Sequence, residues 1–252
     1  MRPKTGDRSS VPGPRSVLFL TPAAFSLLIV VMAREATARK VVGSQEEKKL
    51  EEPGFAGGGP PSPPIVSDEP IISNARLGLL MFLAAEAMFF AGLIGAFLVF
   101  RLGSTAWPPP FQPRLPVVVT GINTVILLLS GVTMHLALRA IRAGRLSGLL
   151  KWLGVTPILG AIFLGVQGYE WVRLVQFGLT MSSGIYGATF YTLIGCHGLH
   201  VLGAVIWLVV VLMQARRGRF TVRSHTGVEI CGMYWTFVVA LWPILYGLVY
   251  LY

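Results

Sequence analysis

The sequence predicts an all-α fold, a polytopic transmembrane helix bundle with five core spans. Of its 252 residues 54% are hydrophobic and only 13% are charged, about half the charged fraction of soluble domains. The mean hydropathy is +0.67. The third observation is a set of five apolar runs, each long enough to cross a hydrocarbon core of roughly 30 Å as a helix. An integral membrane protein is therefore expected.

The chain divides into a polar tail and a membrane domain. We predict a largely disordered tail over residues 1–75, which contains the Gly- and Pro-rich stretch 54–64, and a five-helix domain over residues 76–252. The predicted spans are 77–100, 116–138, 149–171, 184–213 and 228–252. No alternating strand pattern competes with these helices.

Orientation is predicted from the short loops, because Lys and Arg accumulate on the cytoplasmic side. Basic residues cluster after the second span and after the fourth: Arg139, Arg142, Arg145, Lys151, Arg216, Arg217, Arg219 and Arg223. The other two loops contain fewer. The tail before Arg76 is thus expected inside and the C-terminus at Tyr252 outside.

An extra hydrophobic segment at residues 17–33 conflicts with this orientation. As a spanning helix, or as a cleaved export signal, it would place residues 34–75 outside. A third interpretation is that translation begins at Met32, which opens a polar sequence. All three interpretations remain open at the level of sequence.

Glu86 is a candidate functional residue because it lies about ten residues into the first span. A carboxylate at that depth costs roughly 2.5–3.5 kcal/mol on insertion scales, so it is expected to face protein or water and to be protonated or hydrogen-bonded. A purely structural role, clamping a neighbouring helix, is the alternative. Ala87, Ala91 and Gly95 recur every four residues beside it and predict a helix-packing stripe.

His197 and His200 lie near the middle of the fourth span. Two histidines on one helix cannot bind opposite faces of one haem. Because no other predicted helix carries a deep histidine, a bis-histidine haem is not expected. A metal site with Cys196 and Glu86 would need side chains that point in different directions to converge. Hydrogen bonds between helices, or a role with Glu86 in handling protons or lipid headgroups, are the remaining interpretations.

Glu170 closes Gln167-Gly-Tyr-Glu170 near the end of the third span. We expect it to be solvated there or paired with Arg173. The two cysteines lie in apolar segments and indicate no disulfide framework. Although the net charge is +10, no soluble domain presents a basic face, so nucleic acid is not an expected partner. No catalytic triad or nucleotide-binding fingerprint is present.

The order of motifs resembles subunit III of the haem-copper oxidases, in its short form without the two N-terminal helices. The resemblance covers about residues 73–252, and its most specific part is the G-x-H-G-x-H-V block at 195–201. The motifs are Ala85-Glu-Ala-Met-Phe-Phe90, Trp107-Pro-Pro-Pro110, Asn123-Thr-Val-Ile-Leu-Leu-Leu-Ser130, Gln167-Gly-Tyr-Glu170, Phe190-Tyr-Thr-Leu-Ile-Gly-Cys-His-Gly-Leu-His-Val201 and Tyr234-Trp-Thr-Phe-Val238.

The resemblance implies an accessory, non-catalytic role in a bacterial cell membrane. Subunits of this family carry no haem or copper, which are expected in the partner subunits I and II. They pack beside subunit I, hold phospholipid and help to sustain proton uptake. Four residues match positions of the family: Glu86 its buried glutamate, Glu170 its glutamate after the glutamine, and His197 and His200 its histidine pair.

The last span departs from the family pattern W-H-F-V-D, since Thr236 and Val239 replace the histidine and the aspartate. These departures leave the exact complex open, and two other functions are alternatives. One is a subunit III-like accessory protein of nitric oxide reductase. The other, of a different class, is an independent proton channel or transporter, against which the lack of a visible internal repeat argues.

Overall fold

The computed structural model describes residues 74–110, 115–222 and 224–252. The predictions for residues 17–33 and for the tail 1–73 lie outside these residues. Within them the fold consists of five helices and a short π-helical end, Gly247–Leu251. The helices are α1 (Asn74–Leu102), α2 (Val117–Arg142), α3 (Leu146–Gln176), α4 (Ile185–Arg216) and α5 (Thr226–Tyr246).

All five helices are long and apolar enough to cross a membrane, which confirms the predicted fold class for the described part of the chain. Helices begin and end within a few residues of the predicted runs. Three of them end in the same way, with a left-handed glycine one residue after the cap, at Gly144, Gly178 and Gly218. Only glycine adopts that conformation without strain, and the turn satisfies the last free carbonyl groups.

Helix α5 forms the centre of the bundle and α1 its periphery. In the most apolar window of α5, 67% of the residues are buried, whereas in α1 only 11% are. Helices α2 and α3 form the most extensive pair, and α4 and α5 complete a four-helix core. Helix α1 lies against α4 and α5 with few close backbone approaches, so its position depends on side-chain contacts.

Those contacts occur at three levels along α1. At its start Arg76 pairs with Glu229 of α5. In its middle Glu86 bonds to His200 of α4. Near its end the ring of Phe97 meets Trp107, whose indole also packs edge-on against Tyr186 of α4, with ring centroids 5.0 Å apart.

The small-residue stripe of α1 makes no such contact. Ala87, Ala91 and Gly95 are exposed, and a Cβ added to Gly95 would meet no atom within 4 Å. The helix contact predicted for this stripe is therefore not formed within the described part of the chain, because α1 turns the adjacent face, with Glu86 and Phe90, towards the core.

Candidate functional site

Glu86 and His200 form the polar contact between α1 and α4. Oε2 of Glu86 lies 2.9 Å from Nε2 of His200, and Glu86 is only 8% exposed. Nδ1 of His200 lies 2.6 Å from the carbonyl oxygen of Cys196, one turn earlier on the same helix. The imidazole is thereby held at both nitrogens.

The partners of His200 determine how many protons the pair carries. A carbonyl oxygen only accepts, so Nδ1 must donate to Cys196. The contact between Nε2 and Oε2 then needs one proton, which belongs either to a neutral Glu86 or to an imidazolium paired with a carboxylate. Both arrangements have zero net charge, as burial among apolar side chains requires.

Aromatic rings enclose this pair on the α1 side. The ring of Phe90 lies edge-on to His200 with centroids 5.1 Å apart, and Phe89 lies 6.3 Å away. Phe90 is 1% exposed. The rings limit the access of solvent to the shared proton from this side.

His197 faces a different environment from His200. It is fully buried, and its ring stacks on Trp242 of α5 at a centroid distance of 5.0 Å. Neither of its ring nitrogens has a hydrogen-bond partner within the described residues. The structure thus brings Glu86 together with His200 but not with His197, whose ring lies against Trp242 of α5.

Glu170 is buried, contrary to the expectation of a solvated residue. It is 5% exposed, and no ion pair within the described residues joins it to Arg173. The physical reason is its place in the buried stripe of α3, which continues through Phe163, Gln167 and Leu174 at spacings of three and four residues. On the same stripe Gln167 donates from Nε2 to the hydroxyl of Tyr250, 3.1 Å away.

No cluster of three or more metal-ligating side chains occurs in the described ranges. The Glu86–His200 pair can hold one proton and relocate it between Oε2 and Nε2.

The family model "Cytochrome c oxidase subunit III" matches residues 68–252. The chain belongs to this family. The resemblance inferred from the motifs is thereby confirmed.

Individual relatives carry the same name. Cytochrome c oxidase subunit 3 of Synechocystis is 41% identical over 175 residues, which cover 69% of this chain and 74% of the relative. The protein of that name from Thermostichus vulcanus is 37% identical over 176 residues, 69% and 86% of the two chains. The probable cytochrome c oxidase subunit 3 of Nocardia farcinica is 36% identical with the same coverage. These names agree with the accessory-subunit function that the resemblance to subunit III implies.

The two departures from the subunit III pattern have structural replacements. The hydroxyl of Thr236 donates to the carbonyl oxygen of Gly232 in its own helix, at 2.8 Å. Val239 is 6% exposed and lies against Gly131 of α2, where an added Cβ would approach its Cγ1 to 3.2 Å. Val239 therefore takes part in apolar packing between α2 and α5.

A second ionic cluster was not foreseen from the sequence. Glu229, near the start of α5, pairs with Arg76 of α1 and, at 3.0 Å, with Arg142 at the end of α2. Nε2 of His225 lies 3.4 Å from the same carboxylate. The sequence feature that could have indicated this cluster is an acidic residue in the first turn of a span, beside loops rich in arginine. Three helices of this subunit III protein are joined there.

Proposed function

We propose that this chain is a non-catalytic membrane subunit of an aerobic respiratory haem-copper oxidase in a bacterial plasma membrane. It stabilises the catalytic subunit I beside which it packs, with subunit II in the same complex, supports proton uptake and binds phospholipid. Haem and copper belong to those partner subunits. Membership of the subunit III family supports the assignment. The buried Glu86–His200 pair is the observation that supports the proposed role in proton uptake.

The pair suits a role in proton supply because its proton can move between Oε2 and Nε2, which lie 2.9 Å apart, without a change in net charge. Transfer of a proton to or from the pair creates a net charge in a low-dielectric site. The resting pair therefore holds one shared proton and has zero net charge. The pair also anchors the least buried helix. Loss of the carboxyl group is therefore expected to affect both proton supply and the attachment of α1.

Two variants of Glu86 separate these roles in the purified oxidase complex. Glu86→Ala should reduce the number of turnovers before inactivation by about tenfold, which corresponds to a decrease of ~1.4 kcal/mol in the activation barrier to inactivation. The initial rate should fall by less than about twofold. Endurance is measured as oxygen consumed per enzyme until activity ceases, with the electron donor in excess.

Glu86→Gln is the matched variant, because its amide can still donate to Nε2 of His200 but has no acidic proton. If the proton matters, Glu86→Gln loses endurance as Glu86→Ala does. Wild-type endurance in Glu86→Gln together with loss in Glu86→Ala would reduce the role to anchoring, and wild-type endurance in both would remove the proposal.

The exposed stripe of α1 is the proposed contact with a partner subunit. Small residues gain little from contact with lipid but allow two helix backbones to approach closely. Ala87, Ala91 and Gly95 are exposed on α1, the least buried helix, so a transmembrane helix of the catalytic subunit would complete its packing.

Gly95→Leu should therefore weaken assembly without harming the chain itself. We expect the yield of catalytic subunit that copurifies with this chain to fall by about tenfold, because a leucine blocks close approach of the backbones. Gly78→Leu is the control, since Gly78 is also exposed on α1, and an added Cβ there meets no atom within 4 Å. Equal copurification of both variants would exclude the stripe as the contact.

The proposed orientation places the tail before Arg76 in the cytoplasm and Tyr252 outside. Arg142, Arg145 and Arg216 lie at helix ends that precede or follow the two basic loops. Arg142 also joins the Glu229 cluster, so that cluster would lie at the cytoplasmic surface.

A further inference from the structure

The Glu86–His200 pair is separated from the nearest charged surface by a stretch of apolar bundle. That surface is the arginine end, where Glu229 pairs with Arg76 and Arg142. The two arginine side chains are 44% and 59% exposed, and a charged guanidinium group is stable there only if water or headgroups are in contact with it. Along α1, Glu86 lies ten residues beyond Arg76, about 15 Å at roughly 1.5 Å per residue. A proton that reaches the pair from the arginine end must cross this distance.

Three aromatic rings lie between the pair and the arginine end. The ring of Tyr234 of α5 packs between Phe82 of α1 and Trp207 of α4, with centroids 6.0 and 5.6 Å away. Phe82 precedes Glu86 by one turn of α1 and therefore lies on the same face, nearer to the arginine end. Trp207 follows His200 by two turns of α4, which runs towards that end. These three rings, here named the Tyr234 layer, close the direct route to the pair.

Tyr234 is the member of this layer that can pass a proton. A hydroxyl group both donates and accepts a hydrogen bond, whereas the indole N–H of Trp207 only donates and the ring of Phe82 does neither. Tyr234 is 1% exposed, and its phenol group interacts electrostatically with the carboxyl group of Glu86. It lies five residues after Glu229, about 7.5 Å along α5, which places it near the middle of the route.

We infer that Tyr234 relays protons from the arginine end to the Glu86–His200 pair, an inference that rests on the proposed role of the pair in proton supply. After the pair has given up its proton, Glu86 is a carboxylate and His200 a neutral imidazole. The phenol O–H bond of Tyr234 then breaks as its proton forms the carboxyl O–H bond of Glu86. At the same time the phenol oxygen takes a proton from hydronium on the side of the arginine end, which leaves a water molecule.

The relay restores every group to its resting state. Tyr234 stays neutral, because one proton arrives at its oxygen as another leaves, and the cost of a buried phenolate is avoided. The Glu86–His200 pair returns to one shared proton and zero net charge. The net change is one proton moved from the water at the arginine end to the pair.

The rate of proton exchange at the pair tests the relay without enzyme turnover. The purified oxidase complex in lipid nanodiscs is transferred into D2O, and the probe is the infrared band that wild type shows and Glu86→Gln lacks. The readout is the rate at which this band shifts. Tyr234→Phe keeps the ring between Phe82 and Trp207 but removes the hydroxyl group. We expect the shift to slow by about a hundredfold, the lower part of what a positioned proton donor contributes.

Tyr191→Phe is the matched control and should exchange at the wild-type rate. The hydroxyl of Tyr191 donates to the carbonyl oxygen of Leu179, near the start of α4 and remote from the arginine end. A packing defect in the Tyr234 layer would admit water and speed up exchange, so slower exchange in Tyr234→Phe reports the lost hydroxyl group.

Exchange in Tyr234→Phe at the wild-type rate, or faster, would overturn the relay. Endurance of the Glu86→Gln oxidase distinguishes this result from failure of the proposed function. Lost endurance there, with unchanged exchange in Tyr234→Phe, would overturn the relay alone. Slower exchange in Tyr234→Phe with wild-type endurance in Glu86→Gln would support the relay and remove the role of the pair in the oxidase.

Discussion

Gly160→Leu should destabilise the helix core by about 3 kcal/mol, the upper part of the usual range for overpacking. Gly160 lies on α3 where α4 and α5 meet it. A Cβ at this position would approach Cη2 of Trp235 to 2.7 Å and Cγ2 of Val205 to 2.8 Å. Trp235 is 0% exposed and packed on all sides, so it has no room to withdraw. The expected result is a lower midpoint of unfolding in SDS, followed by tryptophan fluorescence.

The control for this prediction is Gly154→Leu on the same helix. An added Cβ at Gly154 would meet no atom within 4 Å, so the substitution should be neutral or stabilise α3 by up to about 1 kcal/mol through helix propensity. Equal midpoints for the two variants would show that α3, α4 and α5 do not approach one another as described.

Glu229→Ala should have the second largest effect, a loss of about 2 kcal/mol, because hydrogen bonds to a charged group contribute roughly 1.5–3 kcal/mol. The side chain of Glu229 is 9% exposed, whereas those of Arg76 and Arg142 are 44% and 59% exposed. The guanidinium groups can turn towards water when the carboxylate is removed, which keeps the loss below that of a fully buried pair. Without Glu229, α1 loses its first anchor.

The effect should be local to α1 and is best measured by proteolysis of its start alongside the SDS midpoint. Glu229→Gln keeps one acceptor and should lose about half as much stability. Arg139→Gln is a suitable control, because Arg139 lies one turn before Arg142 and takes no part in an ion pair among the described residues. Faster cleavage in the control as well would assign the effect to the basic surface in general.

Much of the architecture follows from the sequence because a bilayer leaves few alternatives. Backbone groups in hydrocarbon must bond within their own segment, so an apolar run of spanning length forms a helix. The five runs therefore predicted five helices in the described residues. The motif order around Glu86 and His197 then sufficed for the family, which the match over residues 68–252 confirms.

The candidate site was only partly predictable. The depth of Glu86, His197 and His200 can be read from residue counts along each span, but depth does not say which histidine faces the acid. Glu170 shows that periodicity still holds some information, since its spacing from Gln167 and Leu174 places it on the buried stripe of α3.

For the described residues, the sequence by itself determined the number of helices and their approximate ends, and it also indicated the family and the polar residues that need a partner. Tertiary structure alone decided that Glu86 pairs with His200, that His197 stacks on Trp242, and that Glu229 joins three helices. The physical reason is that lipid-facing and protein-facing sides of a membrane helix are both apolar. The rotation of each helix about its axis is then fixed by packing between helices, which no single span encodes.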